Sequence, residues 1–177
     1  MDFCVDIYLC RCRGGKDESS ALLLRSAAIY TGQKTDGWQV MRMEKGKPYF
    51  PDRPEVQFSV SHSGEYWGCA FSQAPLGFDL QQIVPCRAQK LSVRFFHREE
   101  DRFLASCAYD PEQFFRIWTE KESYVKCLGD GLYMGLDTFN VTAPLPDGRI
   151  FHHPDLLPGY SACLCLPGPA EVRIHNF

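Results

Sequence analysis

The pattern of hydrophobic and polar positions predicts short strands and one helix in the first half of the chain. Residues 2–9 alternate as in a strand, and the segment ALLLRSAAIYTG predicts a helix with Ser19 or Ser20 as N-cap and Gly32 just after its end. The segment WQVMRMEKGKPYF predicts a strand that runs into a turn at 45–48. Three short strands follow in VQFSVSHSGEYWGCAFSQAPLGFDLQQI, interrupted at 63–64 and 73–75, and they predict an antiparallel meander.

The second half is predicted to carry two helical regions followed by strands. Residues 86–106 are rich in helix formers, and a second helix begins at Asp110 and Pro111, an N-cap followed by proline at the first helical position. It ends at Gly129, and the strand-like pieces TFNVTA, GRIFHH, GYSACLCL and AEVRIHNF come after it. The pattern as a whole predicts an α+β protein with mostly hairpin-connected strands and helices packed on one side.

Composition narrows the class of protein. The chain has 177 residues, of which 45% are hydrophobic, so it can bury a substantial core. It has no apolar run of about eighteen residues, and its N-terminus is unlike a secretory signal, which predicts a cytoplasmic protein without a membrane span. A net charge of -3 gives no basic surface for nucleic acid. Nine cysteines without a CxxC pair predict reduced, mostly buried thiols.

Two charged residues stand out on the helix predicted at 111–128. On a helical wheel Lys121 falls in the middle of the apolar arc and Glu122 at its edge, whereas Glu112, Arg116, Glu120 and Ser123 point away. A buried charge is costly unless it is paired or binds a ligand. Either Lys121 extends its ammonium to solvent and Glu122 pairs with Lys126, or both residues serve a site.

The segment GFDLQQI, residues 77–83, offers a partner for Glu122. Strand alternation puts Asp79 and Gln81 on one face, and Phe78 and Leu80 on the other. Two carboxylates and an amide oxygen form the hard-oxygen set that suits Mg²⁺. His62, in SVSHSG, is either a structural residue at a strand end or, next to Gly64 and several hydroxyls, part of a phosphate site.

Five segments together resemble a known family. In order and spacing, GKPYF (46–50), FSVSHSG (58–64), LGFDLQQI (76–83), FFHREED (95–101) and WTEKESYVKCLGDGL (118–132) are similar to the signature blocks of the Sfp-type 4′-phosphopantetheinyl transferases. These enzymes typically show SHS, G-(I/V)-D-x-E and W-(S/T)-x-K-E-(S/A) motifs. The resemblance runs from about Ala21 to Gly131. It implies Mg²⁺-dependent transfer of phosphopantetheine from coenzyme A (CoA) to a serine of an acyl or peptidyl carrier protein, releasing adenosine 3′,5′-bisphosphate.

The resemblance also implies roles for individual residues. Asp79 and Glu122, with Gln81, would hold Mg²⁺ or Mn²⁺, and Glu100 would be the base that takes the proton of the serine. Lys121 would support the leaving phosphate. The remaining predicted contacts are to CoA: Ser61, His62 and Lys126 at its phosphates, and Arg25 and Lys47 towards its nucleotide end.

The family fold implied is two similar α+β halves related by a pseudo-twofold axis, with CoA in the cleft between them. The predicted halves are residues 1–75 and 76–177, the second carrying the metal site, and the family's internal symmetry suggests a monomer. Two departures are expected to matter. Gln81 replaces a second acid, which should weaken Mg²⁺ binding, and the N-terminal half is shortened, leaving only Arg11, Arg13 and Lys16 as basic residues before the first helix.

Two alternative functions remain open on the sequence. A non-catalytic relative could bind CoA or a carrier protein without transfer, and a metal-dependent phosphohydrolase could use the same ligands. The presence of Asp79, Lys121 and Glu122 together favours the transferase, because a binding protein has no need of a buried metal pair. Fatty-acid, polyketide and nonribosomal peptide carriers are equally compatible with the sequence.

Overall fold

The computed structural model describes residues 3–12, 15–129 and 135–177. Three predicted features extend outside those ranges: the first strand at Asp2, the basic loop at Arg13 and the last motif at Gly131. In chain order the elements are β1 (Phe3–Arg11), α1 (Lys16–Thr31), β2 (Met41–Arg42), β3 (Pro48–Tyr49), β4 (Gln57–Ser63), β5 (Tyr66–Ser72), β6 (Gly77–Gln82), α2 (Ala88–Phe95), α3 (Arg98–Ser106), α4 (Pro111–Leu128), a short 3₁₀ helix (Leu136–Thr138), β7 (Ile150–His152), β8 (Tyr160–Leu166) and β9 (Ala170–Asn176).

The strands form two main sheets, which confirms the α+β class. The first sheet has the order β4-β5-β1-β9, in which β9 runs parallel to β1 and the other pairs are antiparallel. The second sheet has the order β6-β8-β7 and is antiparallel. α1 packs on the first sheet and α4 on the second. The predicted boundary at residue 75 falls between β5 and β6, but β9 returns to the first sheet.

The predicted three-strand meander is wrong at its third strand. β4 and β5 form the expected hairpin, whereas β6 pairs with β8 in the second sheet, with Asp79 opposite Cys163. Pro75, just before β6, has no N–H group to donate to a neighbouring strand, so it suits the point at which the chain changes sheets.

Helix boundaries follow their capping residues, with one correction. α1 begins at Lys16, four residues before the predicted start. Ser20 lies inside the helix, where its hydroxyl donates back to the Lys16 carbonyl oxygen at 2.9 Å, so it is not the N-cap. Gly32 ends α1 in the left-handed conformation as predicted. Asp110 caps α4 through the Glu112 amide, and Gly129 ends it, both as predicted.

The helix-rich segment 86–106 forms two helices instead of one. They are separated at 96–97, where His97 caps α3 and its backbone N–H donates to the Glu100 carboxylate at 2.9 Å.

Most of α4 is enclosed, which the helical wheel did not predict. Glu120 and Ser123, expected to face solvent, are buried because β8 covers that side of the helix as β6 covers another. Six of the nine cysteines are also buried, as predicted. None of the helices in the described ranges combines the length and the apolar character needed to cross a membrane.

Candidate functional site

α4 crosses β6 in direct backbone contact at Gly77. A β-carbon at this position would lie 1.8 Å from the Ser123 carbonyl oxygen and 2.5 Å from the Cys127 amide nitrogen. Only glycine leaves room for the helix at this distance. The glycine that precedes Asp79 in sequence therefore allows Glu122 and Lys126 of α4 to approach the Asp79 carboxylate.

Asp79 has one satisfied and one unsatisfied carboxylate oxygen. Its Oδ1 accepts hydrogen bonds from the Lys126 ammonium at 2.6 Å and from the Ser61 hydroxyl at 2.8 Å. Its Oδ2 is buried and has no hydrogen-bond partner among the described residues. Buried polar atoms are nearly always paired, so an unpaired carboxylate oxygen here is suited to a cation.

Glu122 lies close enough to Asp79 for the two carboxylates to repel each other. Burial is the main cause that raises the pKa of Glu122, the Asp79 charge raises this pKa further, and Lys126 opposes the shift. A bound divalent cation would relieve both the burial cost and the repulsion. Gln81 lies on the same face of β6 as Asp79, and its side chain lines a cavity together with Glu122.

The oxygen atoms of Asp79, Glu122 and Gln81 provide part of the ligand set that a hard divalent cation needs. No three His, Cys, Asp or Glu side chains within the described ranges converge as metal ligands. A cation here would therefore be held by the two carboxylates, the Gln81 amide and water or substrate oxygens, a combination that suits Mg²⁺. With Lys126 already at Asp79, the site has little net negative charge, which favours weak binding of the ion alone.

Lys121 and Glu100, both predicted to act in catalysis, are instead paired deep in the protein. Both side chains are fully buried, and the Lys121 ammonium lies 2.7 Å from Glu100 Oε1 and 2.8 Å from the Phe139 carbonyl oxygen. Glu100 also accepts the backbone N–H groups of Val141 and His97. Burial lowers the pKa of Lys121, and the Glu100 charge opposes that shift. The sequence had suggested that Lys121 either extends its ammonium to solvent or serves a site, and neither interpretation included an ion pair with Glu100.

Two cavities meet at Glu122. The first, of about 650 Å³, runs between α1, the β2–β3 ribbon, β4 and α4, and it is lined by the predicted residues Lys47, Ser61, His62, Glu122 and Lys126. The second, of about 640 Å³, is apolar and lies between α2 and α4, with Gln81 and Glu122 at one end. Glu122 and Val125 line both.

The first cavity continues into a polar pocket of about 430 Å³ at the start of α1. The two share Ser19, Ser20, Arg42 and His62, and the polar pocket adds Lys16. His62 is exposed there. The N-cap of α1 is Gly15, which offers no side-chain acceptor to the first amides of the helix. Arg42 was missed at the sequence level, because its position in a two-residue strand has no motif to mark it.

Three predicted CoA contacts have other partners in the structure. The Lys47 ammonium donates to the carbonyl oxygens of Leu76 at 3.2 Å and Cys127 at 3.4 Å, and burial lowers its pKa. The Arg25 guanidinium lies 4.8 Å from the ring centre of Phe177, outside the cavities described above. The Ser61 hydroxyl is directed at Asp79 and is buried.

Comparison with known proteins identifies the family. The model of the 4′-phosphopantetheinyl transferase superfamily matches residues 75–162. The chain is 34% identical to 4′-phosphopantetheinyl transferase Sfp of Bacillus subtilis (strain 168) over 71% of its length. It is also 34% identical to another 4′-phosphopantetheinyl transferase of Bacillus subtilis over 80% of its length, and 32% identical to 4′-phosphopantetheinyl transferase gsp of Aneurinibacillus migulanus over 69%.

These similarities cover part of each relative. The matches span 62%, 66% and 55% of the three relatives' own lengths, so the chain covers less than two thirds of them. The segment matched by the family model includes β6 and α4, and with them Asp79, Glu122 and Lys126. The chain belongs to the 4′-phosphopantetheinyl transferase superfamily.

Proposed function

We propose that the protein transfers the 4′-phosphopantetheine group of CoA to a serine hydroxyl of a carrier protein, with Mg²⁺ as cofactor. The observation that carries this proposal is the buried, unpaired Oδ2 of Asp79 beside Glu122, the carboxylate that lines both cavities. CoA has matching parts: a phosphorylated nucleotide, a pyrophosphate and a long neutral arm. In the transfer, the serine oxygen would bond to the phosphorus that carries pantetheine, and the bond between the two phosphates would break, so the pyrophosphate must lie beside these carboxylates.

The nucleotide end would occupy the polar pocket at the start of α1. Lys16, Arg42 and His62 line this pocket, and the uncapped N-terminus of α1 adds the positive end of the helix dipole. The pocket is continuous with the larger cavity through its shared lining residues. These groups would provide positive charge for the phosphates of the nucleotide.

The pyrophosphate would lie beside Lys126, Asp79 and Glu122. Bound Mg²⁺ would neutralise charge on the phosphate oxygens and stabilise the leaving adenosine bisphosphate. Lys126 is 28% exposed while it contacts Asp79, so its ammonium can also reach a phosphate oxygen in the cavity. Asp79 and Glu122 would hold the cation, and Gln81 would complete the set as an amide oxygen or through water.

The proton of the serine hydroxyl would leave towards Glu122. Glu100 and Lys121 are fully buried with their polar atoms engaged, so they would act by anchoring α3 against α4 and not by contacting substrate. Glu122 is the carboxylate that lines both cavities, so it is placed to meet a hydroxyl group that approaches where the cavities join.

The pantetheine arm and the carrier protein would be held on the apolar side. Leu91, Phe95, Phe114 and Trp118 line the apolar cavity. Val93 and Phe95 of α2 are exposed at 66% and 40%, and α2 with its N-cap carries Arg87, Lys90 and Arg94 without an acidic residue. An acidic carrier-protein helix with an apolar stripe complements this surface. We expect the protein to act in the cytoplasm as a monomer.

Intact-mass spectrometry tests the proposal. An apo acyl carrier protein is incubated with the protein, CoA and Mg²⁺, and a gain of one phosphopantetheine group is expected only when all components are present. Asp79→Asn should abolish the gain, whereas Asp36→Asn, at an exposed aspartate outside the site, should not. Binding of CoA without transfer to several carrier proteins would refute the transferase and support a non-catalytic relative.

A further inference from the structure

Three serines of β4 join the two sheets through their hydroxyl groups. β4 and β6 belong to different sheets, yet the amides of β6 donate to β4 side chains at 2.9 Å, 3.1 Å and 2.9 Å: Phe78 to Ser59, Leu80 to Ser61 and Gln82 to Ser63. Each hydroxyl oxygen takes the place of the carbonyl that a neighbouring strand would supply. The spacing of two residues on both strands places these contacts on one edge of β6.

Ser61 differs from its neighbours in what its own hydroxyl hydrogen contacts. Ser59 donates to the Phe78 carbonyl oxygen at 3.4 Å, a backbone contact. Ser61 lies 2.8 Å from Asp79 Oδ1 and 3.3 Å from the Leu80 carbonyl oxygen. A hydroxyl has one hydrogen to donate, and the shorter contact to a charged acceptor is the stronger one.

The contact between Ser61 and Asp79 matters because the Asp79 carboxylate can rotate easily about its terminal torsion. Lys126 donates to Asp79 Oδ1 at 2.6 Å and to the Phe78 carbonyl oxygen at 3.2 Å, and a single donor does not fix the orientation of the carboxylate plane. Ser61 sits on a strand that is held at its backbone, and it donates to the same oxygen as Lys126. Two donors on Oδ1 from different elements fix the carboxylate and leave Oδ2 as the unpaired oxygen.

We propose that Ser61 is a positioning residue that orients Asp79 for cation binding. This inference rests on the proposed function, because it assigns Asp79 Oδ2 to the metal. It replaces the direct contact between the Ser61 hydroxyl and CoA phosphate that the sequence suggested. The serine acts through the carboxylate, and its loss should appear in metal affinity before any substrate is present.

The test measures Mn²⁺ binding to the free protein by electron paramagnetic resonance, without CoA or carrier protein. Ser61→Ala should weaken Mn²⁺ binding by about 10- to 100-fold, the range found when a group that orients a metal ligand is removed. Ser59→Ala is the matched control, because it also deprives a β6 amide of its acceptor but does not touch Asp79. It should keep Mn²⁺ affinity within about twofold of wild type, since the Ser59 hydroxyl contacts backbone groups of Phe78 and not the Asp79 carboxylate.

A second variant controls for the possibility that Ser61→Ala weakens Mn²⁺ binding through a folding defect. Ser61→Cys keeps the side-chain volume and replaces a strong donor with a weak one, so it should weaken Mn²⁺ binding in the same direction. Thermal unfolding of Ser59→Ala and Ser61→Ala should show similar losses of stability, which separates metal affinity from folding.

The outcomes distinguish this inference from the proposed function. Wild-type affinity in Ser61→Ala and Ser61→Cys, with Asp79→Asn unable to bind Mn²⁺, would overturn the role of Ser61 and leave the metal site intact. Equal weakening in Ser59→Ala and Ser61→Ala would also overturn it. If the wild-type protein and Asp79→Asn bind Mn²⁺ equally, the metal assignment itself fails.

Discussion

Replacing Lys121 with methionine separates a structural role for this lysine from a catalytic one. Methionine preserves most of the aliphatic stem and removes the ammonium. In the variant, Glu100 Oε1 retains the Val141 amide but loses its charged partner at 2.7 Å, and the Phe139 carbonyl oxygen loses the same donor. The ammonium also lies 4.1 Å from the centre of the Phe139 ring, a contact that would be lost.

The expected cost follows from the burial of both side chains. Removing one partner of a fully buried ion pair typically costs about 3–5 kcal/mol, because the remaining charge is left uncompensated. For a chain of this size each kcal/mol lowers the melting temperature by about 2–4 °C, so a decrease of roughly 6–20 °C is expected.

Urea unfolding measures the free energy of unfolding, and the mass-spectrometric transfer assay measures activity at a temperature where the variant is folded. Lys34→Met, at an exposed lysine, is the control and should change stability by less than about 0.5 kcal/mol. The double variant Lys121→Met with Glu100→Gln should lose less stability than the sum of the single variants, because it leaves no unpaired charge. A Lys121→Met protein of wild-type stability that has lost transfer activity would refute this reasoning and restore the direct role in catalysis.

Three further changes test the site. Gln81→Glu should lower the Mg²⁺ concentration needed for half-maximal transfer, and an unchanged metal dependence would place this side chain out of contact with the ion. Gly77→Ala should destabilise the protein and weaken Mn²⁺ binding, since its β-carbon would meet the Ser123 carbonyl oxygen, whereas Gly168→Ala, with open space around it, should do neither. The raised pKa of Glu122 means that the folded protein binds more protons than the unfolded chain above the usual value of 4.5, so stability in EDTA should fall as pH rises through that window. Glu122→Gln should remove this decrease, and parallel pH profiles for the two proteins would contradict the assignment.

Local patterns in the sequence were sufficient to predict much of the fold and to propose candidate metal ligands. The alternation in GFDLQQI placed Phe78 and Leu80 in the core and Asp79 on the opposite face, and the structure agrees. Asp110 and Gly129 marked the ends of α4 because caps act on neighbouring backbone groups. The order and spacing of the motifs indicated the family, which the comparisons confirm.

Only the tertiary structure decided which side chains are partners. Lys121 pairs with Glu100, 21 residues earlier, and Asp79 is held by Ser61 and Lys126, 18 and 47 residues away. The burial of Glu120 and the pairing of β6 with β8 likewise depend on segments far along the chain. Periodicity and capping report on residues within a few positions of one another, whereas these contacts arise from how helices and sheets pack. The sequence could therefore identify the charged residues that need a partner, and only packing could determine which partner each of them has.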